Sequence, residues 1–459
     1  WGDDYGTHYF YSTLTNKGSI LYQDIFSHKG PGYIFFLNFL SKIYGEGINQ
    51  SYLSLSITNA LFLIVCYFIF NKRNNQKKIF SEIIFLLFLL SIYISQSTHS
   101  YLTFFQMSFL FLSFYFLLET LEKNDNSNFY KSIFLLFFAV FVRIDSLIYL
   151  PLFLLVLLKK NIKKKNSYIL FFKDISYSLI LITVIFFFFK ELFGYTTLDF
   201  FISNFQFHLW YKETFFSYTF FGFFGRLVSE KYWTFFIFPA LFAAFIFGSK
   251  KIKITFEINK FNIGILIVII SFIFWLISAS GRTHHTLIAT APLYFFVIYW
   301  YKHVTIKNNL LVFFLIILLP ITISLSIKNI IKNSVYDCFN NYYCEYSHYK
   351  KFEEDIKDFK NYDKLNIIGG NRGFVYLMSN TTPNLVINNY WFYGFENNFV
   401  TKKLIEHHDK LIKEKGLVWI SKELYNRSKI KRTNPYLNEI IDKSIFIKDQ
   451  KNYIKLLIE

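Results

Sequence analysis

Apolar blocks of about 16 to 20 residues recur as far as position 326, the length that carries a helix across hydrocarbon at 1.5 Å per residue. A soluble fold could not bury so many of them. The composition agrees: 53% of the 459 residues are hydrophobic and 22% aromatic, with 62 Phe against 7 Pro. Soluble domains are less apolar and hold far fewer Phe. The sequence therefore predicts a multi-pass membrane protein.

The net charge of +18 is spread out rather than pooled. From residue 327 onward 22 Lys/Arg stand against 16 Asp/Glu, which leaves +12 for the apolar part. There the basic residues gather in alternate loops: Lys72, Arg73, Lys77 and Lys78; Lys159 to Lys173; Lys250, Lys251 and Lys253; Lys302 and Lys307. This is the positive-inside pattern, and it assigns those loops to the cytoplasmic side. Nucleic acid is not an expected partner, because it would need a continuous basic face. Spans are predicted at 51–70, 79–95, 101–118, 174–190, 233–248, 263–279, 287–300 and 310–326. Two short helices, 132–142 and 146–158, are broken at Arg143 and Asp145. That makes ten helices, and an eleventh is expected before Trp1, which belongs to an outer segment. No signal peptide is visible.

An ionisable pair such as Arg143 and Asp145 is costly at membrane depth and is either a structural turn closure or functional. The aromatic stretch within 191–232 reads as an interfacial belt or as the flank of a lipid-tail entrance. Segment 32–44 is too short to span and suits a helix on the membrane surface, with Lys42 reaching toward water. Cys66 lies in an apolar block. Cys338 and Cys344 form either a local disulfide or two free thiols.

From residue 327 the apolar runs shorten. Residues 364–370 read as a buried strand and glycine turn, 401–415 as an amphipathic helix and 417–421 as a strand. That alternation predicts a small outer α/β domain, 327–459, after a membrane domain, 1–326, whose residues 1–50 are the first outer loop and interfacial helix. Residues 369–373 fit a turn better than a dinucleotide cradle, so no nucleotide cofactor is expected.

The first 31 residues are polar and rich in Asp, His and Gly, and they read as an outer loop. Asp3 and Asp4 open it; Asp24, His28 and Lys29 close it ahead of Gly30 and Pro31. Arg143, Asp145, Arg282, His284 and His285 fall on the same side. A base, cations and phosphate-binding groups confined to one face suit an enzyme at the outer interface. A transporter or flippase would place charge near mid-membrane. Asp3, Asp24 and His28 are candidate ligands for Mg²⁺, Mn²⁺ or Zn²⁺; otherwise Asp24 and His28, four apart, cap a surface helix. His284 and His285 otherwise bond headgroups.

On these residues the chain resembles the GT-C membrane glycosyltransferases that use polyprenyl-phosphate sugars. The similarity is to the relatives of protein O-mannosyltransferase (glycosyltransferase family 39) and lipid A aminoarabinose transferase. Gly2-Asp3-Asp4-Tyr5 is similar to that family's acidic start of the first outer loop, with Asp4 where Glu is frequent. Leu21-Tyr22-Gln23-Asp24 through His28-Lys29-Gly30-Pro31 resembles its tyrosine, acidic residue and Lys-Pro-Pro segment, with Gly30 for the first Pro. Ser280-Gly281-Arg282-Thr283-His284-His285 with Pro292 resembles its late Arg, His-Tyr, Pro element, with His285 for Tyr. Val142-Arg143 is similar to its mid-bundle Arg.

The resemblance implies a GT-C bundle of helices with a small C-terminal α/β extracytoplasmic domain. It also implies a bacterial plasma (inner) membrane setting with a periplasmic active side. It assigns the base to Asp3, with Asp4 as alternate or support, acting on an acceptor hydroxyl of a lipid, glycan or protein. Lys29, Arg143, Arg282, His284 and His285 are then the groups for the donor's phosphate. A polysaccharide ligase or polymerase using lipid-diphosphate donors would favour several Arg over an Asp pair, and the outer domain would alternatively bind a partner or acceptor polymer.

Overall fold

In the computed structural model the described residues are 3–25, 27, 29–73, 101–123, 125–162, 167–206, 209, 258–278, 283–300, 344–368, 372–383, 399–431 and 435–459. The spans read at 79–95, 233–248 and 310–326, the 369–371 turn, and His28, Arg282 and Cys338 lie outside them.

The chain opens on a helix, α1, Asp3–Asn16. This corrects the reading of the first 31 residues as a loop. The reason is burial: residues 8–14 are all covered, so α1 lacks the one-sided apolar stripe that would betray it. It stops at Gly18 (φ +92), where Gly18 N–H reaches Thr15 O at 3.2 Å and Ser19 N–H reaches Leu14 O at 3.0 Å. That is a Schellman closure, and the positive φ favours glycine. Helix α2, Pro31–Tyr44, starts on Pro31, whose fixed φ suits a first turn. Its inner stripe (Tyr33, Ile34, Leu37, Leu40) is buried, while Phe39, Ile43 and Tyr44 stay exposed.

Next come α3 (Ile48–Arg73), α4 (Tyr101–Lys123) and α5 (Asn126–Val142). Asp125 caps α5 by accepting Ser127 N–H at 2.9 Å. A 3₁₀ turn, Ile144–Tyr149, leads into α6, Leu150–Asn161, so the expected break falls at Arg143. After α7 (Ser167–Phe193) a capping box of Thr196 and Asp199 starts the short α8, Thr197–Phe201, which runs into a π turn at Ile202–Gln206. Then follow α9 (Lys260–Ser278) and α10 (Thr283–Trp300), which continues through Pro292. Among the described residues, Leu53–Arg73, Leu102–Lys123 and Ser167–Phe193 are long and apolar enough to cross a bilayer.

The C-terminal part contains α11 (Cys344–Phe359), β1 (Lys364–Leu365), β2 (Ile367–Ile368), α12 (Arg372–Ser379) and β3 (Thr382–Pro383). It ends with α13 (Phe399–Lys413), β4 (Leu417–Ser421), α14 (Lys422–Lys431), α15 (Pro435–Asp442), β5 (Ser444–Asp449) and β6 (Tyr453–Ile458). One sheet has the order β2-β4-β6-β5, with β2 parallel to β4 and the rest antiparallel; β1 pairs with β3 in parallel. The expected single strand over 364–370 is two, parted at Asn366. There the backbone N–H of Trp419 bonds Asn366 O (2.9 Å) and the Asn366 amide donates to Leu417 O (3.0 Å). Leu411, Val418, Ile420, Leu437, Ile440 and Leu456 form the core of this layer.

Two compact units result. One joins residues 1–55, 189–211 and 335–459; the other holds 56–188 and 212–334. The first outer segment thus belongs with the C-terminal layer. In the second unit α4 packs against α5, α6, α9 and α10. At one end Arg73 Nη1 bonds Glu119 (2.9 Å) and Glu122 (3.0 Å) and its guanidinium lies 4.3 Å from the Tyr299 ring centre, joining α3, α4 and α10. Lys160 and Asp174 form a second buried pair at 3.0 Å, with Tyr130 donating to Asp174 at 2.6 Å.

Candidate functional site

The first unit gathers four candidates on one continuous piece of chain. Asp3 and Asp4 are the first two residues of α1, where the positive end of a helix favours acidic residues. They are described in backbone only. Helical periodicity places Asp3 on the face that carries Phe10, and Asp4 on the face that carries His8 and Tyr11. From Tyr9 onward, helix α1 is bonded to α2 and to the residue that ends it. Tyr9 Oη donates to Gly45 O (2.8 Å), Asn16 donates to Ser41 Oγ (2.7 Å) and Asn38 donates to Thr15 Oγ1 (3.0 Å).

Between the helices residues 20–25 form a tight turn. Ile20 O accepts Asp24 N–H (2.8 Å), and Asp24 Oδ2 in return accepts Ile20 N–H (2.8 Å). Asp24 therefore closes a turn rather than capping a surface helix. Tyr22 stands at φ +68, a conformation that costs a non-glycine residue of order 1–3 kcal/mol. Its fixings are visible. The buried ring meets Tyr195 (5.1 Å) and Phe200 (6.1 Å) edge-on, and its hydroxyl donates to Lys29 O at 2.8 Å. Burial, reinforced by Tyr195, holds the Tyr22 phenol well above its usual pKa, so it remains a neutral donor. Gln23 donates to Asp199 Oδ2 (2.7 Å), pinning the turn to the start of α8. Lys29, half-buried, thus sits on backbone held by Tyr22, by Ser27 Oγ (3.2 Å from Lys29 N) and by the Pro31 start of α2.

The second unit holds Arg143, Asp145, His284 and His285. Arg143 is extended (φ −150, ψ 126) at the break after α5. Its Nη2 lies 2.7 Å from Asp145 Oδ2 and its Nη1 donates to Thr103 Oγ1 at 3.1 Å. Gln106 on α4 donates to Asp145 Oδ1 (2.5 Å) and to Ser146 Oγ (2.7 Å). The pair closes the turn, and its two side chains keep 12% and 13% exposure. His284 and His285 lie in the first turn of α10 and are described in backbone only.

Among the described residues no set of three His, Cys, Asp or Glu is gathered for a metal. The metal reading involves His28 and the Asp3 side chain, which lie outside that set. The sequence reading missed two residues that shape this region. His8, one turn after Asp4, is buried with its ring 6.1 Å from Tyr11 and 6.2 Å from Tyr33. Tyr376 on α12 stacks on Phe10. The i, i+4 spacing from Asp4 could have flagged His8; nothing in the sequence pairs positions 10 and 376.

No family model matches the chain, and no curated protein matches its sequence. The structure does match a solved one: ArnT from Cupriavidus metallidurans in the apo state, with a TM-score of 0.61 at 9% identity. The match covers 100% of this chain and 93% of that chain. At that identity the likeness is one of fold. The chain has the GT-C architecture, a helical membrane bundle with a small C-terminal layer, and is an integral membrane protein.

Proposed function

We propose that this protein is a membrane glycosyltransferase that moves a sugar from a polyprenyl-phosphate donor to a lipid, glycan or protein acceptor. In this reading the active side and the C-terminal domain face the periplasm from the plasma (inner) membrane. The observation that carries it is the whole-chain likeness to ArnT, a GT-C glycosyltransferase, in a chain whose first described helix starts Asp3-Asp4 and is bonded to the helix that follows Lys29.

The acceptor oxygen attacks the anomeric carbon while Asp3 takes the hydroxyl proton; Asp4 is the supporting carboxylate. The bond from that carbon to the phosphate oxygen breaks, and its electron pair leaves with the lipid phosphate. That phosphate is already a weak base, so it needs charge neutralised rather than a proton. Lys29 serves as a point charge and Arg282 as a fork, with His284 and His285 as further donors. Arg143 ranks below them, because Asp145 already balances its charge. One well-placed donor of this kind is worth about 3 kcal/mol, or about 10²-fold in rate. Direct displacement inverts the anomeric centre.

A divalent cation (Mg²⁺, Mn²⁺ or Zn²⁺) at Asp3, Asp24 and His28 is a separable part of the proposal. It would add neutralising charge when bound. Asp24 Oδ2 already accepts the Ile20 backbone N–H, and the displacement does not depend on the cation.

The test offers purified protein labelled sugars on polyprenyl phosphate and on polyprenyl diphosphate, with and without a chelator. Transfer from the monophosphate alone, with inverted product, is expected. Transfer only from the diphosphate would make it a ligase or polymerase, and consumption of neither donor would refute the reading. Loss of rate on chelation would add the cation.

A further inference from the structure

Helix α1 is gripped from two sides. Its α2 side carries the hydrogen bonds already described, donated by Tyr9 and Asn16 and accepted by Thr15. Its other grip comes from the C-terminal layer. Phe10 and Tyr376 are 3% and 2% exposed, and their rings lie 5.0 Å apart and 7° from parallel. Tyr376 is itself fastened at the far end, its hydroxyl donating to Leu365 O on β1 at 3.4 Å. Ser379 and Thr381, hydroxyl to hydroxyl at 2.6 Å, close the end of α12.

Seven residues are close to two helical turns, so Asp3 stands on the same face of α1 as Phe10. The stack is therefore applied on the face of α1 that carries Asp3. We propose that Tyr376 is a positioning residue for sugar transfer: by stacking on Phe10 it fixes the tilt and register of α1, and with them the place of Asp3 and Asp4. The C-terminal layer is then a working part of the catalytic unit rather than an appended module. This rests on the reading of Asp3 as the base. A carboxylate displaced by about 1 Å from reacting geometry can cost about 10²-fold in rate, while the donor's lipid and phosphate contacts are unaffected.

The test uses the full chain in lipid nanodiscs with the labelled polyprenyl-phosphate sugar. Tyr376→Ala should lower kcat by about tenfold or more, with the donor KM within about twofold. Tyr376→Phe, which keeps the ring, should stay within about twofold of the parent in both. Phe10→Ala should resemble Tyr376→Ala, and the double variant should be about as slow as the slower single, because coupled residues are not additive. Amide exchange over residues 3–16 should quicken in Tyr376→Ala and not in Tyr376→Phe. Should the Ala variant fail to fold, Tyr376→Leu takes its place in every comparison.

A parent-like kcat in Tyr376→Ala, losses that multiply in the double variant, a KM effect alone, or unchanged exchange over α1 would each overturn the proposal. The exchange readout needs no substrate. If the parent consumed no lipid-linked sugar, the transfer reading would fall, and with it the catalytic part of this proposal. Quickened exchange would still support the mechanical part, and unchanged exchange would end both.

Discussion

Helices α4 and α7 are both long enough to cross a bilayer, and together they invert the rule of soluble proteins. The apolar stretch of α4 is 83% buried inside the protein, whereas that of α7, which is the more apolar, is 11% buried. The less apolar helix is the one at the centre. Its buried positions include Thr103, Gln106, Ser108, Ser113, Glu119 and Thr120. On α7, Phe172, Ile180, Val184 and Phe187 are exposed, and Asp174 is buried where Lys160, Asn161 and Tyr130 bond it. The cause is the solvent. Lipid tails are as apolar as Leu, so apolar surface gains little by turning inward, whereas polar side chains have no partner outside. In this chain hydropathy locates spans, and polar residues within a span locate the core.

The comparison can be broken by substitution, read as the melting temperature of the detergent-solubilised chain. The largest loss is expected for Phe111→Ala on α4. Its fully buried ring lies 5.4 Å from both Phe62 and Phe295, and the cavity should cost about 3–5 kcal/mol. A smaller effect would mean that α4 is not the packed centre. Glu119→Leu comes next, at about 3 kcal/mol, because it strips Arg73 of one buried partner and Tyr299 of its acceptor. Gln106→Leu should cost about 1–3 kcal/mol by leaving Asp145 and Ser146 without its amide. The smallest effect, under about 0.5 kcal/mol, is expected for Ile180→Ala on the outward face of α7. A loss there as large as on α4 would show that this face is packed against something other than lipid.

The two regions also differ in how far their sequences could be read. Spans announce themselves by block length, so α3, α4 and α7 were legible, and basic loops gave the parity that forced a break near Arg143. The structure puts that break between α5 and the 3₁₀ turn, with the Arg143–Asp145 pair across it. Helix α1 was not legible. Polar, glycine-containing and covered throughout residues 8–14, Asp3–Asn16 has neither the length of a span nor the stripe of a surface helix. The outer turn was legible in part: Asp24, His28 and Lys29 stood out as a group, and Tyr22 joined them through the family resemblance. That Tyr22 holds the Lys29 backbone through a left-handed conformation is a tertiary fact, set by Tyr195 and Phe200 far along the chain. The Phe10–Tyr376 stack is of the same kind, and a single sequence carries no sign of it.

The most direct measurement is the initial rate of sugar transfer from labelled polyprenyl phosphate by the parent chain and by Asp3→Asn, a substitution that keeps shape and removes the base. A loss of about 10²-fold or more with the donor KM little changed is expected, since general-base catalysis contributes about 10²–10⁴. Transfer by Asp3→Asn at a rate close to the parent's would contradict the assignment of the base and the chemistry built upon it.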